Sequence, residues 1–204
     1  VESLYSMDGD LGPLKEINRL CKAYGALLIV DEAHSGGVFG QNGVGLCHEL
    51  GISEEVFIRL FTFGKAYGTH GAVVCCSEEV RQYLINFARS FIYTTALPEN
   101  FYQHMMGQVE LSKNDSLSDQ LQQNITYFSK QIQSTISSDR SPIQVIEFPE
   151  LETCKAKATE LQQAGFAVKA ILPPTVPSGS QRLRICIHAF NTQPVECCIF
   201  QKKR

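Results

Sequence analysis

The run Ala26-Leu-Leu-Ile-Val30 is apolar at every position and ends on Asp31, after which Glu32-Ala-His34 opens a glycine-rich stretch. Such a run reads as a parallel strand covered on both faces, because alternation disappears when neither face meets water. It restricts the chain to layered α/β architectures, and it puts a carboxylate at the strand's carboxyl end, where open α/β sheets hold ligands. Ahead of it Leu14, Ile17, Leu20 and Cys21 recur at helical spacing, with Pro13 suited to a first turn and Gly25 to a C-cap. A helix over Pro13 to Tyr24 therefore feeds the strand. Beyond it the spacing predicts a short helix Val44 to Leu50, a strand near Val56 to Phe61, the loop Thr62-Phe-Gly-Lys-Ala-Tyr-Gly68 and a strand Ala72 to Cys76. A helix from Ser77 to about Arg89 follows, with Ser77 as N-cap and Glu79 in its first turn.

From Pro98 the text is long and amphipathic to about Gln133, broken at Ser112-Lys-Asn-Asp-Ser116. The stretch Ser134-Thr-Ile-Ser-Ser-Asp-Arg-Ser-Pro142 reads as a loop between domains. Past it come a strand Ile143 to Phe148, a helix of about Glu150 to Ala164, strands Ala167 to Ile171 and Leu183 to Ile187, and a terminal helix. The expected organisation is a mostly parallel α/β domain over 1–97, connecting helices over 98–137 and a small α+β domain over 138–204. The chain opens inside a strand-like Val1-Glu-Ser-Leu-Tyr-Ser-Met7 with no initiator methionine, so a piece of a longer chain is expected.

Eighteen Lys and Arg against 21 Asp and Glu leave a formal charge of −3, and the one basic cluster is the terminal Lys202-Lys203-Arg204. That excludes a phosphate-tracking surface for nucleic acid. The 8 cysteines lie mostly in apolar runs such as Gly71-Ala-Val-Val-Cys-Cys76 and read as reduced thiols, hence a cytoplasmic protein. No apolar run reaches the ~18 residues of a membrane span. His48, His70, His104 and His188 share no spacing with other ligand types, so no metal site is read.

Asp31-Glu-Ala-His34 spells the metal box of a nucleotide-driven helicase. That chemistry needs a GxxxxGK[ST] loop ahead of the box, and the single Gly64-Lys65 lies after it and precedes alanine. A carboxylate at a strand end, a histidine close by and a lysine in a short glycine-flanked loop after the next strand suit pyridoxal phosphate better. A lysine amine forms a Schiff base with its aldehyde, a carboxylate keeps its ring nitrogen protonated, and hydroxyls neutralise its phosphate. Thr62, a hydroxyl ahead of Lys65, is in reach of a phosphate held there. Gly36, Gly37, Gly40, Gly43 and Gly45 fit either a ligand cradle or plain turn geometry. Glu32 would face away from Asp31 and reads as structural.

The segments Tyr5-Ser-Met-Asp-Gly-Asp10, Val30-Asp-Glu-Ala-His34, Thr62-Phe-Gly-Lys-Ala66 and Arg182-Leu-Arg184, in this order, resemble the α-oxoamine synthase family of fold-type I pyridoxal-phosphate enzymes. The resemblance spans essentially the whole chain and implies a partial large domain followed by the small α+β domain. It implies that Lys65 carries the cofactor and then removes the substrate's α-proton, that Asp31 pairs with the ring nitrogen, and that His34 and Ser6 contact the phenolic oxygen. Thr62 would bind the phosphate, Thr94 and Thr95 the phosphate of a neighbouring subunit in a homodimer with a shared active site, and Arg184 the substrate carboxylate. Arg182 reads as structural. The implied reaction joins an amino acid to an acyl-CoA with loss of carbon dioxide. Pro173-Pro-Thr-Val-Pro177 and Tyr5-Ser-Met-Asp-Gly-Asp10 favour the alanine- and pimeloyl-CoA-using members of biotin synthesis over the glycine-using 2-amino-3-ketobutyrate CoA ligase and the long-chain members. Leu172 stands where those members commonly carry arginine. In a different class, the chain would be a non-catalytic scaffold.

Overall fold

A computed structural model describes residues 1–132 and 136–191, which separate into two compact units, Val1–Leu4 with Gly12–Asp115 and Tyr5–Leu11 with the described part of Ser116–Arg204. The expected terminal helix, Cys197, Cys198 and Lys202 to Arg204 lie outside the described residues.

In the first unit, helix α1 (Leu14–Tyr24) buries Leu14 and Asn18 and ends at Gly25 with φ 64°, a left-handed C-cap that glycine adopts without steric cost. Strand β1 (Ile29–Asp31) follows, shorter than the expected Ala26 to Val30. Leu28 and Val30 are buried while Leu27 is 68% and Ile29 44% exposed, so this unit covers one face of the strand and leaves the other open. An all-apolar run hides that asymmetry, because period-two burial shows only when the outward positions are polar. After a 3₁₀ turn (Gln41–Gly43) and helix α2 (Leu46–Glu49) comes β2 (Ile58–Thr62), parallel to β1 in the register Asp31↔Leu60. Strand β3 (Ala72–Cys76) returns antiparallel, and Glu2 bridges to Asp31 in parallel on β1's other edge. Helix α3 (Glu78–Phe87) is capped by Ser77, whose Oγ accepts from the Val80 amide at 3.4 Å. Helix α4 (Glu99–Ser112) completes the unit.

The second unit is built on α5 (Asp115–Gln131), β4 (Ile143–Glu147), α6 (Leu151–Gln163), β5 (Lys169–Ile171) and β6 (Arg182–Cys186). Its sheet runs β4-β6-β5, antiparallel throughout. Ile125 and Phe128 from α5, Cys154, Ala158 and Leu161 from α6, and Val168, Leu183, Ile185 and Ile187 form one apolar cluster. The Tyr5–Leu11 turn belongs to this unit: Ser137 Oγ donates to Asp8 O at 2.6 Å and the Ser138 amide to Gly9 O at 3.0 Å. Gly9 has φ +72°, and a Cβ there would lie 2.1 Å from Ile143 O, so the turn admits no side chain. No helix of the described residues is long and apolar enough to cross a membrane.

Candidate active site

Asp31 closes β1 with its backbone held along one edge by the Val1–Ser3 segment: its amide donates to Val1 O and its carbonyl accepts from Ser3 N, both at 2.9 Å. Its carboxylate Oδ1 accepts from the Ala33 amide at 2.8 Å, so the chain turns directly after the strand and places half-buried His34 in that turn. On the neighbouring parallel strand, Thr62 is the last residue of β2, and its Oγ1 is buried with no hydrogen-bond partner. A buried hydroxyl without a partner is costly, and a ligand that accepted from it would relieve that cost.

The loop after Thr62 is short and pinned. The Thr69 amide donates to Phe63 O at 2.9 Å and the Gly68 amide to Lys65 O at 3.0 Å. Phe63 and Tyr67 are buried and meet edge to face at 5.3 Å, leaving Lys65 exposed on the loop. Burial, with a smaller contribution from Glu32, pushes the Tyr67 phenol up and keeps it neutral.

Asp31, His34, Thr62 and Lys65 thus share the carboxyl ends of two paired parallel strands and the loops that leave them. Thr94 and Thr95 lie in the exposed segment between α3 and α4, where the Thr94 hydroxyl donates to Ser90 O at 3.4 Å. The second unit joins Ser6 and Arg184: the guanidinium Nε donates to Ser6 O at 2.6 Å and Nη1 lies 2.9 Å from Cys186 Sγ. Arg184 also lines a cavity of about 500 Å³ with Phe128, Phe166, Lys169 and Ile185. Arg182 differs: 7% exposed, it donates to Ser180 O at 2.9 Å and pairs with Asp8 and, at 3.5 Å, with Glu147, a structural assembly.

The glycine-rich stretch is settled as turn geometry. The amides of Gly36, Gly37, Gly40, Gly43 and Gly45 donate within the protein, to Glu32 O, Gly43 O, Glu49 Oε2, Gly40 O and Phe39 O, so they do not form an amide cradle. The helicase-like box is likewise excluded by its glutamate. Glu32 is fully buried, its Oε2 accepting from Ser35 Oγ at 2.7 Å and from the Cys47 amide at 3.3 Å, and it has no route to a solvent-borne nucleotide. Ser3, Ser35 and Arg59, which surround Glu32, were invisible to motif reading; the one signal was a charged residue following an apolar strand.

These residues fit pyridoxal phosphate: an orphaned buried hydroxyl at a strand end, an exposed lysine in the loop that follows it, and a carboxylate on the adjacent strand end. The chain thus holds one unit with a parallel strand pair that carries candidate ligand groups at its carboxyl ends and a second, antiparallel α+β unit. Residues 1–196 match the profile of aminotransferase class I and II, and the chain belongs to that family.

Among curated relatives, the 8-amino-7-oxononanoate synthase of Emericella nidulans is 40% identical over 205 residues, covering 94% of this chain and 50% of the relative. That of Photorhabdus laumondii is 41% identical over 192 residues, covering 92% and 50%. Of solved structures, the 8-amino-7-oxononanoate synthase of Francisella tularensis superposes with TM-score 0.82 at 34% identity, over 97% of this chain and 59% of that one. Sphingomonas wittichii serine palmitoyltransferase superposes with TM-score 0.88 at 26% identity, over 98% and 51%. The chain spans about half the length of the curated relatives it matches. The resemblance to α-oxoamine synthases and the α/β fold class expected from the motifs are thereby met.

Proposed function

We propose that this chain is the cofactor-anchoring and substrate-gripping part of a pyridoxal-phosphate-dependent α-oxoamine synthase that condenses L-alanine with pimeloyl-CoA, releasing carbon dioxide and coenzyme A and giving 8-amino-7-oxononanoate in biotin synthesis. The observation that carries this reading is the buried, unpartnered Thr62 hydroxyl ahead of exposed Lys65, on a strand parallel to the one ending in Asp31. The relatives near 40% identity that bear the 8-amino-7-oxononanoate synthase name support the substrate pair.

Bound pyridoxal phosphate supplies an electrophilic carbonyl and a ring that accepts the negative charge developing at the substrate's α-carbon. Lys65 Nζ would hold the cofactor's carbonyl group and would serve as the base for the α-proton of a bound amino acid. Asp31, already turned by the Ala33 amide, would hold a proton at the ring nitrogen. By the resemblance, His34 and Ser6 would contact the phenolic oxygen and Thr62 the phosphate. Arg184, its plane set by the Nε bond to Ser6 O, offers its terminal nitrogens to the substrate carboxylate as a fork, since a thiol acceptor such as Cys186 is weak and readily displaced.

The chain acts as a cytoplasmic homodimer in which Thr94 and Thr95 reach the partner copy's cofactor phosphate. Phe87, Phe91 and Tyr93, at 64%, 60% and 103% exposure, precede those threonines closely in the chain and present apolar surface of the kind a second copy covers. Leu172 leaves the far end of the acyl chain to be recognised by something other than an arginine at that position.

Intact-mass spectrometry before and after borohydride reduction with pyridoxal phosphate tests the reading. One cofactor mass fixed on Lys65, absent from Lys65→Ala, with coenzyme A released from pimeloyl-CoA when alanine is present, is the expected result. Absence of the adduct overturns it in favour of a non-catalytic scaffold, and release with glycine or serine instead of alanine overturns the substrate assignment.

A further inference from the structure

We propose that Glu32 is a positioning residue whose buried carboxylate, acting through Ser35 and Ser3, holds Asp31 and His34 in the geometry the cofactor requires. The inference rests on the reading of Asp31 and His34 as cofactor ligands.

A fully buried carboxylate persists only where it is compensated, and here the compensation is incomplete. Oε2 accepts from Ser35 Oγ at 2.7 Å and from the Cys47 amide at 3.3 Å. Oε1 has no hydrogen-bond partner, and the nearest cation, Arg59 Nη1, stands 3.7 Å away and lacks a hydrogen bond itself. The Arg59 guanidinium leans instead over the Phe61 ring, 5.6 Å from its centroid. A well-packed apolar side chain stabilises such a position at least as well as a loosely paired ion. What the carboxylate adds is direction.

Its partners run toward the site. The Glu32 backbone carbonyl accepts from Ser35 N at 3.2 Å and Gly36 N at 2.8 Å, while its side chain takes the Ser35 hydroxyl, so one residue closes the turn around His34 twice. An ionised carboxylate only accepts, so the single Ser35 proton goes to Oε2 and the Ser35 oxygen is left to accept. Ser3 Oγ lies 2.7 Å from it and donates its one proton there, so the bond that reaches Asp31 O is the one from the Ser3 amide, at 2.9 Å. The side-chain relay Glu32–Ser35–Ser3 therefore fixes Ser3, whose backbone amide in turn holds the Asp31 carbonyl. Gly45 shows how tightly the carboxylate is seated: it has φ +102°, and a Cβ there would lie 2.3 Å from Oε2. Arg59, Cys47, Tyr67 and Cys75 are among the ionisable groups near its charge.

The test compares wild-type protein, Glu32→Gln and Ser35→Ala, each loaded with pyridoxal phosphate. The readouts are cofactor stoichiometry after borohydride, the pH midpoint of the bound cofactor's visible absorption change, and kcat and KM for the amino acid. Both variants are expected to retain cofactor, to shift the midpoint in the same direction, and to lose about tenfold or more in kcat, as when a group that orients a ligand is removed, while KM moves by no more than about threefold. Variants with a lowered melting temperature but a wild-type midpoint and kcat would overturn the inference, leaving Glu32 merely structural. Should Glu32→Gln fail to fold, Ser35→Ala carries the same comparison alone. Wild-type protein that takes up no cofactor overturns the reading of the site and this inference with it, whereas a normal wild type with indifferent variants overturns only the inference.

Discussion

Thr62 separates stability from function in a single atom. Its buried hydroxyl has no partner, a state that costs ~1–3 kcal/mol. Thr62→Val, near-identical in shape, should leave the cofactor-free protein as stable as wild type or more so by denaturant titration. It should also weaken pyridoxal phosphate about tenfold, because a charge-assisted bond to phosphate is lost. Asp31→Asn keeps the Ala33 turn, since an amide oxygen still accepts, but removes the charge. It should bind cofactor normally and lose about a hundredfold in turnover, as expected when a charge aimed at the reacting system is removed. Arg184→Ala should raise KM for the amino acid about tenfold or more with little change in cofactor affinity, since charge-assisted bonds to the carboxylate are lost. Equal losses would place Arg184 with Arg182 as structural.

Elements were legible wherever a period or a punctuating residue was strong. Gly25 and Ser77 sit at the helix ends their residue types predict, β3 spans Ala72–Cys76 as read, and the expected break near Ser112 to Ser116 separates α4 from α5. The misreading at β1 came from composition: Leu27 and Ile29 are apolar yet outward, so the run carried no alternation. The second unit depends on α6 packing its buried stripe against α5 and the sheet. Leu161 is 1% exposed within that cluster, and Leu161→Ala should cost ~2–5 kcal/mol by urea unfolding, the range for a truncated core leucine. The turn around Gly9 is equally strict, because its positive φ and the nearby Ile143 carbonyl leave no room for a side chain.

At the scale of the whole molecule, the buried acids set the alkaline limit. Burial foremost, then the Glu32 charge, raises the Cys47 thiol far above its ordinary 9.0, and burial raises Tyr67 above 10.0. The folded chain therefore keeps protons that the unfolded chain releases once pH passes about 9, and stability contributed by the neutral groups falls as pH climbs further. Urea unfolding near neutral pH and at about pH 10 should show that loss, and Cys47→Ala should reduce its slope. Assembly makes a separate prediction. If Phe91 and Tyr93 are covered by a second copy, Phe91→Asp with Tyr93→Asp should turn a sedimenting dimer into a monomer and abolish turnover, while each monomer still takes cofactor on Lys65.

The sequence by itself determined the layered α/β class, the order of strand-end carboxylate and loop lysine, and the helix caps, because each rests on interactions within a few residues. Four short motifs carried the family, since their residues match it in type and in order along the chain. Only the tertiary structure decided that Thr62 is orphaned, that the glycine loop keeps its amides for itself, and that Glu32 sits buried between Ser35, Cys47 and Arg59. Those facts depend on which distant groups close on an atom, and burial and hydrogen-bond satisfaction are properties of packing that no local pattern encodes.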